Sequence, residues 1–291
     1  MYSQIAANKR KTWAIMFFFM VLVGFVSWVA SSYLFNAPLA TFAVLGAALV
    51  YTLFSYFGAA KMATSMSGAK EIEKRDHPTL YNIVENLAIT DGMPMPKVYI
   101  IEDEGLNAFA TGRNPENAIV AATTGLIEKL DKKELEGVMA HELGHVKNYD
   151  IRVTMIAFAL TTVISVIVDI LMRVVWLSPR DDRDNNGMFM ILGFAVAILA
   201  PIVAGMIRMA VSRRREYLAD ATGALTTRYP EGLASALKKI EGNSSLKRQH
   251  TATAHLFISN PIKSKSIAAL FSTHPPIEDR VSKLMEMTDK V

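Results

Sequence analysis

Two histidines four positions apart, with a glutamate directly after the first, stand near the middle of this chain as His141-Glu142-Leu143-Gly144-His145. On an α-helix, residues at that spacing share a face, so both imidazoles can address one point. The chain has no cysteine, which leaves histidine and carboxylate as the ligands available to a metal at that point. Glu142 sits beside the point rather than on it, placed to accept the proton of an attacking water. This is the layout of a zinc metalloprotease helix. The same letters also arise on helices whose His and Glu simply face water, so the pattern needs a third protein ligand to carry meaning.

The stretch Arg214-Arg215-Glu216-Tyr217-Leu218-Ala219-Asp220 supplies one. Glu216 is the candidate third ligand. Asp220 is one helical turn further on the same face, where it can accept the outer ring N–H of a ligating histidine and fix its tautomer; we assign it to His141. Alone, this pair would be a solvated helix face. In combination with the histidine helix it completes a three-ligand site with a position left for water.

The elements that must position these groups are legible. Asp131 is a candidate N-cap, with Glu134 three residues later as in a capping box, so the histidine helix starts there. Val138, Leu143 and Val146 give it an apolar stripe, and Gly144 is read as leaving room beside the metal. Upstream, Pro78 opens an amphipathic helix (Leu80, Ile83, Val84, Leu87), with His77 at its start, and Gly92-Met-Pro-Met-Pro96 ends it. Lys97–Ile101, Asn107–Thr111 and Ala118–Ala122 read as strands, and Gly125–Leu130 as a helical turn.

The rest of the chain is apolar in blocks. Hydrophobic residues make up 51% of the 291, and the mean hydropathy is +0.24. No charged residue occurs from Thr12 to Ala60, enough for two spans at about 20 residues each. We expect four transmembrane helices, at about 13–35, 39–60, 153–176 and 188–207, the last kinked at Pro201. Lys9, Arg10 and Lys11 before the first span, Lys61, Lys70, Lys74 and Arg75 after the second, and Arg208 and Arg213–Arg215 after the fourth put both termini on the cytoplasmic side. The polar loop 178–187 then lies outside. The net charge of +4 is explained by these flanks, which argues against nucleic acid as a partner. The organisation is a membrane hairpin (1–61), a soluble segment with the histidine helix (62–150), a second hairpin (151–207) and a soluble segment with the third ligand (208–291). The expected fold is an α-helical membrane protein carrying a cytosolic zincin-like α+β metalloprotease domain. Asp169 and Arg173 read as a helix-face ion pair near the far surface, with a polar groove within the bilayer as the alternative.

The chain resembles the HtpX-type membrane zinc proteases, related to the prenyl-protein CAAX proteases of the gluzincin group. The resemblance rests on the paired N-terminal spans, Asn107-Ala-Phe-Ala-Thr-Gly112, Ala122-Thr-Thr-Gly-Leu126, His141-Glu-Leu-Gly-His145, Arg215-Glu-Tyr-Leu-Ala-Asp220 and Thr273-His-Pro-Pro276. It implies one Zn²⁺ per chain. It also implies an endopeptidase of the bacterial inner membrane, acting at the cytosolic face on misfolded membrane proteins and unfolded polypeptides in quality control and stress response. It further implies that Asn107, Ala108, Phe109 and Ala110 form an edge strand that pairs with extended substrate. His274 is either an oxyanion donor or a clamp for its loop. His250 and His255, in the stretch 242–273, show no ligand spacing and are read as surface or loop histidines. A GxxxxGK[ST] loop is absent, so the reaction is expected to be ATP-independent. A transporter, an inactive scaffold and a CAAX-type processing enzyme are the competing classes. The first is disfavoured because the ionisable residues cluster around the metal motif rather than inside the spans, the second because every position the chemistry needs is filled.

Overall fold

The computed structural model describes residues 2–33, 38–160, 213–248, 250, 253–261 and 275–288. Two long helices, α1 (Tyr2–Tyr33) and α2 (Ala40–Ser67), open the chain. A four-stranded sheet follows, with β1 (Ala69–Glu71), β2 (Lys97–Ile101), β3 (Ala108–Thr111) and β4 (Ile119–Thr123) in the order β1-β2-β4-β3. β2 and β4 are parallel, and the outer pairs are antiparallel. Helix α3 (Pro78–Asp91) lies between β1 and β2 in sequence, and α4 (Thr124–Lys129) and α5 (Lys132–Lys147) follow β4. Helical residues 150–160 form α6. After them come α7 (Arg213–Thr227), α8 (Pro230–Ile240) and α9 (Ile277–Met285).

The expected strands and soluble helices are present at nearly the expected limits; β1 is an addition, too short to show an alternation. His77 caps α3, its Nδ1 accepting from the Leu80 N–H at 3.2 Å. Asp131 caps α5 by accepting from the Lys133 and Glu134 N–H groups, and Glu134 reaches back to the Asp131 N–H. Glu134 also accepts from Ser235 and Lys239 of α8, both at 2.7 Å, so the cap of α5 is welded to a neighbouring helix. Burial works against ionisation of Glu134, but these three donors outweigh it and hold the carboxyl below its usual range. Glu134→Ala should therefore cost about 2 kcal/mol of stability in denaturant unfolding. A group with a depressed pKa stabilises above its unfolded value and loses that contribution as pH falls through the folded one. The wild-type advantage should thus fade in acid.

Helix α5 is the hub of the main core, packed against α3, β3, α7 and α8. Small residues set its approach to the last two. A Cβ on Gly137 would lie 2.7 Å from the Leu233 N of α8. A Cβ on Gly144 would meet Ala219 O at 3.2 Å, so Gly144 makes room for helix α7 rather than for a metal.

Helices α1 and α2 pack on one another and, through Ile15, Phe19 and Val23, on Val153, Ile156 and Leu160 of α6. Their other faces expose Trp13, Phe17, Phe18, Phe25, Trp28, Phe42, Phe54 and Phe57. Among the described residues no single helix is by itself long and apolar enough to count as a membrane span; Thr41–Phe54 and Tyr56–Ser67 of α2, bent by 58°, do so together. Of the four expected spans, the first two coincide with α1 and α2. The third starts in α6, and its remainder, with Asp169, Arg173 and the whole fourth span, lies outside the described residues. Both N-terminal helices outrun the expected spans: α1 begins at Tyr2, and α2 continues to a left-handed cap at Gly68.

Candidate active site

Helices α5 and α7 cross with the predicted ligands at the contact. His141 Nε2 and His145 Nε2 face each other at 3.2 Å. The Glu216 carboxylate lies opposite, 3.8 Å from the first and 3.6 Å from the second. Donor atoms of all three residues fall within 4.8 Å of one another. His141 and Glu216 are buried. Gly223 of α7 lets that helix come this close, since a Cβ there would stand 3.0 Å from the His141 backbone nitrogen.

Each histidine is oriented from behind. Asp220 Oδ1 lies 2.9 Å from His141 Nδ1, as its spacing from Glu216 suggested. Asp150 Oδ2, which sequence reasoning missed, lies 3.2 Å from His145 Nδ1. Five positions on an unbroken helix turn about 140° away from the starting face. Asp150 returns because α5 ends at Asn148 and Tyr149 takes a left-handed φ of 58°. A carboxylate at each Nδ1 fixes the tautomer there, so both Nε2 atoms are left to present lone pairs to a shared point.

The electrostatics agree. Burial pushes His141 down to about 4, opposed by its hydrogen bond to Asp220 and assisted by the Arg280 charge. Burial pulls His145 the same way, but Glu216, Asp150 and Glu142 overcome it and push this imidazole up to about 9. The surrounding carboxylates favour positive charge at that point, which is what a metal ion would bring. Two nitrogens bound tetrahedrally to zinc at about 2.0–2.1 Å stand about 3.3 Å apart, close to the observed 3.2 Å. The residues therefore fit a zinc ion.

Arg280 was also missed. It is 1% exposed and grips Asp220 with two bonds, Nε to Oδ2 at 2.9 Å and Nη2 to Oδ1 at 2.6 Å. Its Nη1 lies 4.0 Å from Glu216. Against the cost of burial, Arg280 and His141 hold Asp220 below the usual carboxyl range. A signal existed in the sequence: Arg280 interrupts the apolar stripe of Ile277, Val281 and Leu284 on α9, so the packed face of that helix carries a cation.

A cleft opens on this cluster, lined by Glu142, His145, Glu216, Arg215 and Ala110, and by His255, Leu256 and Ile258 from the segment 253–261. Glu142 is where the sequence put it, buried beside the ligand point. Of the two expectations for His255, a surface or a loop histidine, the structure excludes the first: it sits in a loop segment but is buried. It is 7% exposed and walls the cleft, because the segment carrying it is drawn in by pairing with β3; His250 is exposed as expected. Arg213 and Arg214 are exposed, whereas Arg215 is buried. His274 lies outside the described residues.

The edge of β3 is not bare. Phe257 forms an antiparallel bridge with Phe109, and the Ile258 N–H donates to Ala108 O at 2.9 Å. Asn107, just before the strand, donates from its amide to Ser244 O at 3.0 Å and Ser259 O at 2.8 Å. Of Asn107, Ala108, Phe109 and Ala110, Ala110 reaches the cleft.

The Peptidase family M48 profile matches residues 74–288. Among similar proteins, the protease HtpX homolog of Tropheryma whipplei (strain Twist) is 51% identical over 289 residues, 99% of this chain and 98% of that one. The homolog of Dictyoglomus turgidum is 43% identical over 291 residues, covering 99% and 95%. The homolog of Streptococcus gordonii is 41% identical over 298, covering 99% and 100%. The crystal structure of S. mikatae Ste24p shares the fold, with a TM-score of 0.51 at 18% identity over 93% of this chain; this chain spans 61% of that one. With ligand helix, third carboxylate and both orienting carboxylates in place, and relatives of this kind along its whole length, the chain belongs to peptidase family M48, among the HtpX-type proteases.

Proposed function

We propose that this protein is a zinc-dependent endopeptidase built into a membrane, with His141, His145 and Glu216 as ligands. The observation that carries the reading is the arrangement of the two imidazoles, each with Nδ1 on a carboxylate and Nε2 on a point shared with Glu216. Zinc bound there supplies a Lewis acid that makes water a nucleophile near neutral pH and polarises the scissile carbonyl. Glu142 accepts the proton of the attacking water and returns it to the leaving amine. Asp220 and Asp150 hold the imidazoles in register. Substrate enters extended, pairing with β3 at Ala108–Ala110, so the bridge to Phe257 must give way first. For His274, which precedes Pro275-Pro276 in the sequence, the proposed role is that of an oxyanion donor.

We read four spans, at about 13–35, 39–60, 153–176 and 188–207 within the hairpins 1–61 and 151–207, with 62–150 and 208–291 in the cytosol. Support comes from the exposed aromatic faces of α1 and α2 and from the basic residues that flank the apolar runs. The substrates are unfolded polypeptides and misfolded membrane proteins, cut without ATP at the inner face of the bacterial plasma membrane. The substrate class and site of action are what the resemblance to the HtpX-type proteases implies, and the lack of a GxxxxGK[ST] stretch in the sequence supports a reaction without ATP.

Chelation should abolish cleavage of an unfolded substrate by detergent-purified protein, and about one equivalent of zinc should restore it. Glu216→Ala should weaken zinc binding by more than the roughly 10–100-fold typical of an outer partner. Unchanged zinc content in that variant would refute its role as a ligand.

A further inference from the structure

Helix α1 reaches the metal site. Asn8, 2% exposed although it precedes the Lys9-Arg10-Lys11 run, directs its side-chain amide at the turn between α5 and α6. Both amide hydrogens are used: Nδ2 donates to Asn148 O at 2.9 Å and to Asp150 Oδ1 at 3.0 Å. Both partners are oxygens, so the orientation of the amide is unambiguous. The other Asp150 oxygen, Oδ2, is the one on His145 Nδ1. The Arg215 guanidinium lies 3.8 Å from Oδ1, on the same oxygen that Asn8 holds.

We infer that Asn8 is a positioning residue for the metal site: it pins Asp150, and through it His145, so the first N-terminal helix sets the geometry of a ligand 137 positions away in sequence. Two physical points support this. A carboxylate can swing about its Cα–Cβ bond, and with Asn8 gone Arg215 is the nearest remaining attractor for Oδ1. Turning towards it takes Oδ2 away from His145. In addition, the turn at Asn148–Asp150 runs through the left-handed Tyr149, with the Asn148 and Tyr149 N–H groups donating back to Gly144 O and Val146 O of α5, and the Asn8 amide bridges its two ends by holding Asn148 O and Asp150 Oδ1. The N-terminal helix would thereby be part of the catalytic scaffold as well as an anchor.

The inference rests on the zinc reading, so the test measures metal rather than turnover. Full-length protein in detergent would be compared as wild type, Asn8→Ala, Asn8→Leu, Asp150→Asn, Asn8→Ala/Asp150→Asn and Trp13→Leu. Zinc affinity would be read by chelator competition, and ligand geometry by the visible spectrum of the cobalt-substituted protein. Asn8→Ala should bind zinc about tenfold more weakly and shift the cobalt bands. Asn8→Leu, which fills the same space without donors, should behave alike if the smaller residue impairs folding. Asp150→Asn should lose about 10–100-fold, and adding Asn8→Ala to it should cost nothing further, as expected for two residues acting in series. Trp13→Leu, on the exposed face of the same helix, should match wild type. Equal zinc affinity and cobalt spectra in wild type and both Asn8 variants would overturn the inference while leaving the zinc site standing. So would a loss in the double variant equal to the sum of the two single losses. A wild type that takes up no zinc would remove the metal reading and this inference together.

Discussion

Glu142→Gln should lower peptide-bond hydrolysis by about a thousandfold while leaving zinc content near that of wild type. The amide is nearly isosteric with the carboxylate, so the packing of a residue 2% exposed is kept. What is lost is a base within reach of the attacking water, and loss of a positioned general base costs about 10²–10⁴ in rate. The ligands stay, because Glu142 shares the helix with His141 and His145 but does not contribute a donor to the cluster with Glu216. Cleavage of an unfolded protein and metal content, taken from the same samples, decide the matter. Normal turnover in this variant would end the proposed mechanism; loss of turnover together with loss of zinc would mean that Glu142 holds the metal.

Arg280→Ala should be the most destabilising single change near the site. It removes both guanidinium bonds from Asp220 and leaves a buried carboxylate close to a second one at Glu216. Removing one partner of a buried ion pair costs about 3–5 kcal/mol. Zinc affinity should fall by about 10–100-fold as Asp220 loses its hold on His141. Arg280→Lys keeps the charge without the two-pronged grip and should recover part of both losses. Denaturant unfolding and zinc competition measure these quantities. Unfolding within about 0.5 kcal/mol of wild type would show Arg280 to be a surface-like residue, against its burial.

The two carboxylates behind the histidines show how sequence and tertiary structure divide the work. Asp220 was found from sequence because it shares an unbroken helix with Glu216, and helical spacing alone puts them on one face. Asp150 was not found, because it reaches His145 only through a left-handed turn that spacing does not encode. The supports of these carboxylates, Arg280 and Asn8, come from the two ends of the chain, sixty positions from Asp220 and 142 from Asp150. Their roles are set by which helices pack together, and a one-dimensional reading holds no term for that.

The same division runs through the rest. The His141, His145 and Glu216 cluster, the place of Glu142 beside it, the cap of α5, the strands and the apolar N-terminal runs follow from local chemistry: periodicity, capping and donor type. His255 and the segment pairing with Phe109 do not, since a β-bridge across some 148 positions depends on where the chain returns. Gly144 makes the point at a single residue. The sequence showed that a side chain was missing on the active helix, and only the crossing of α5 with α7 decided that a helix, rather than a metal, takes up the space.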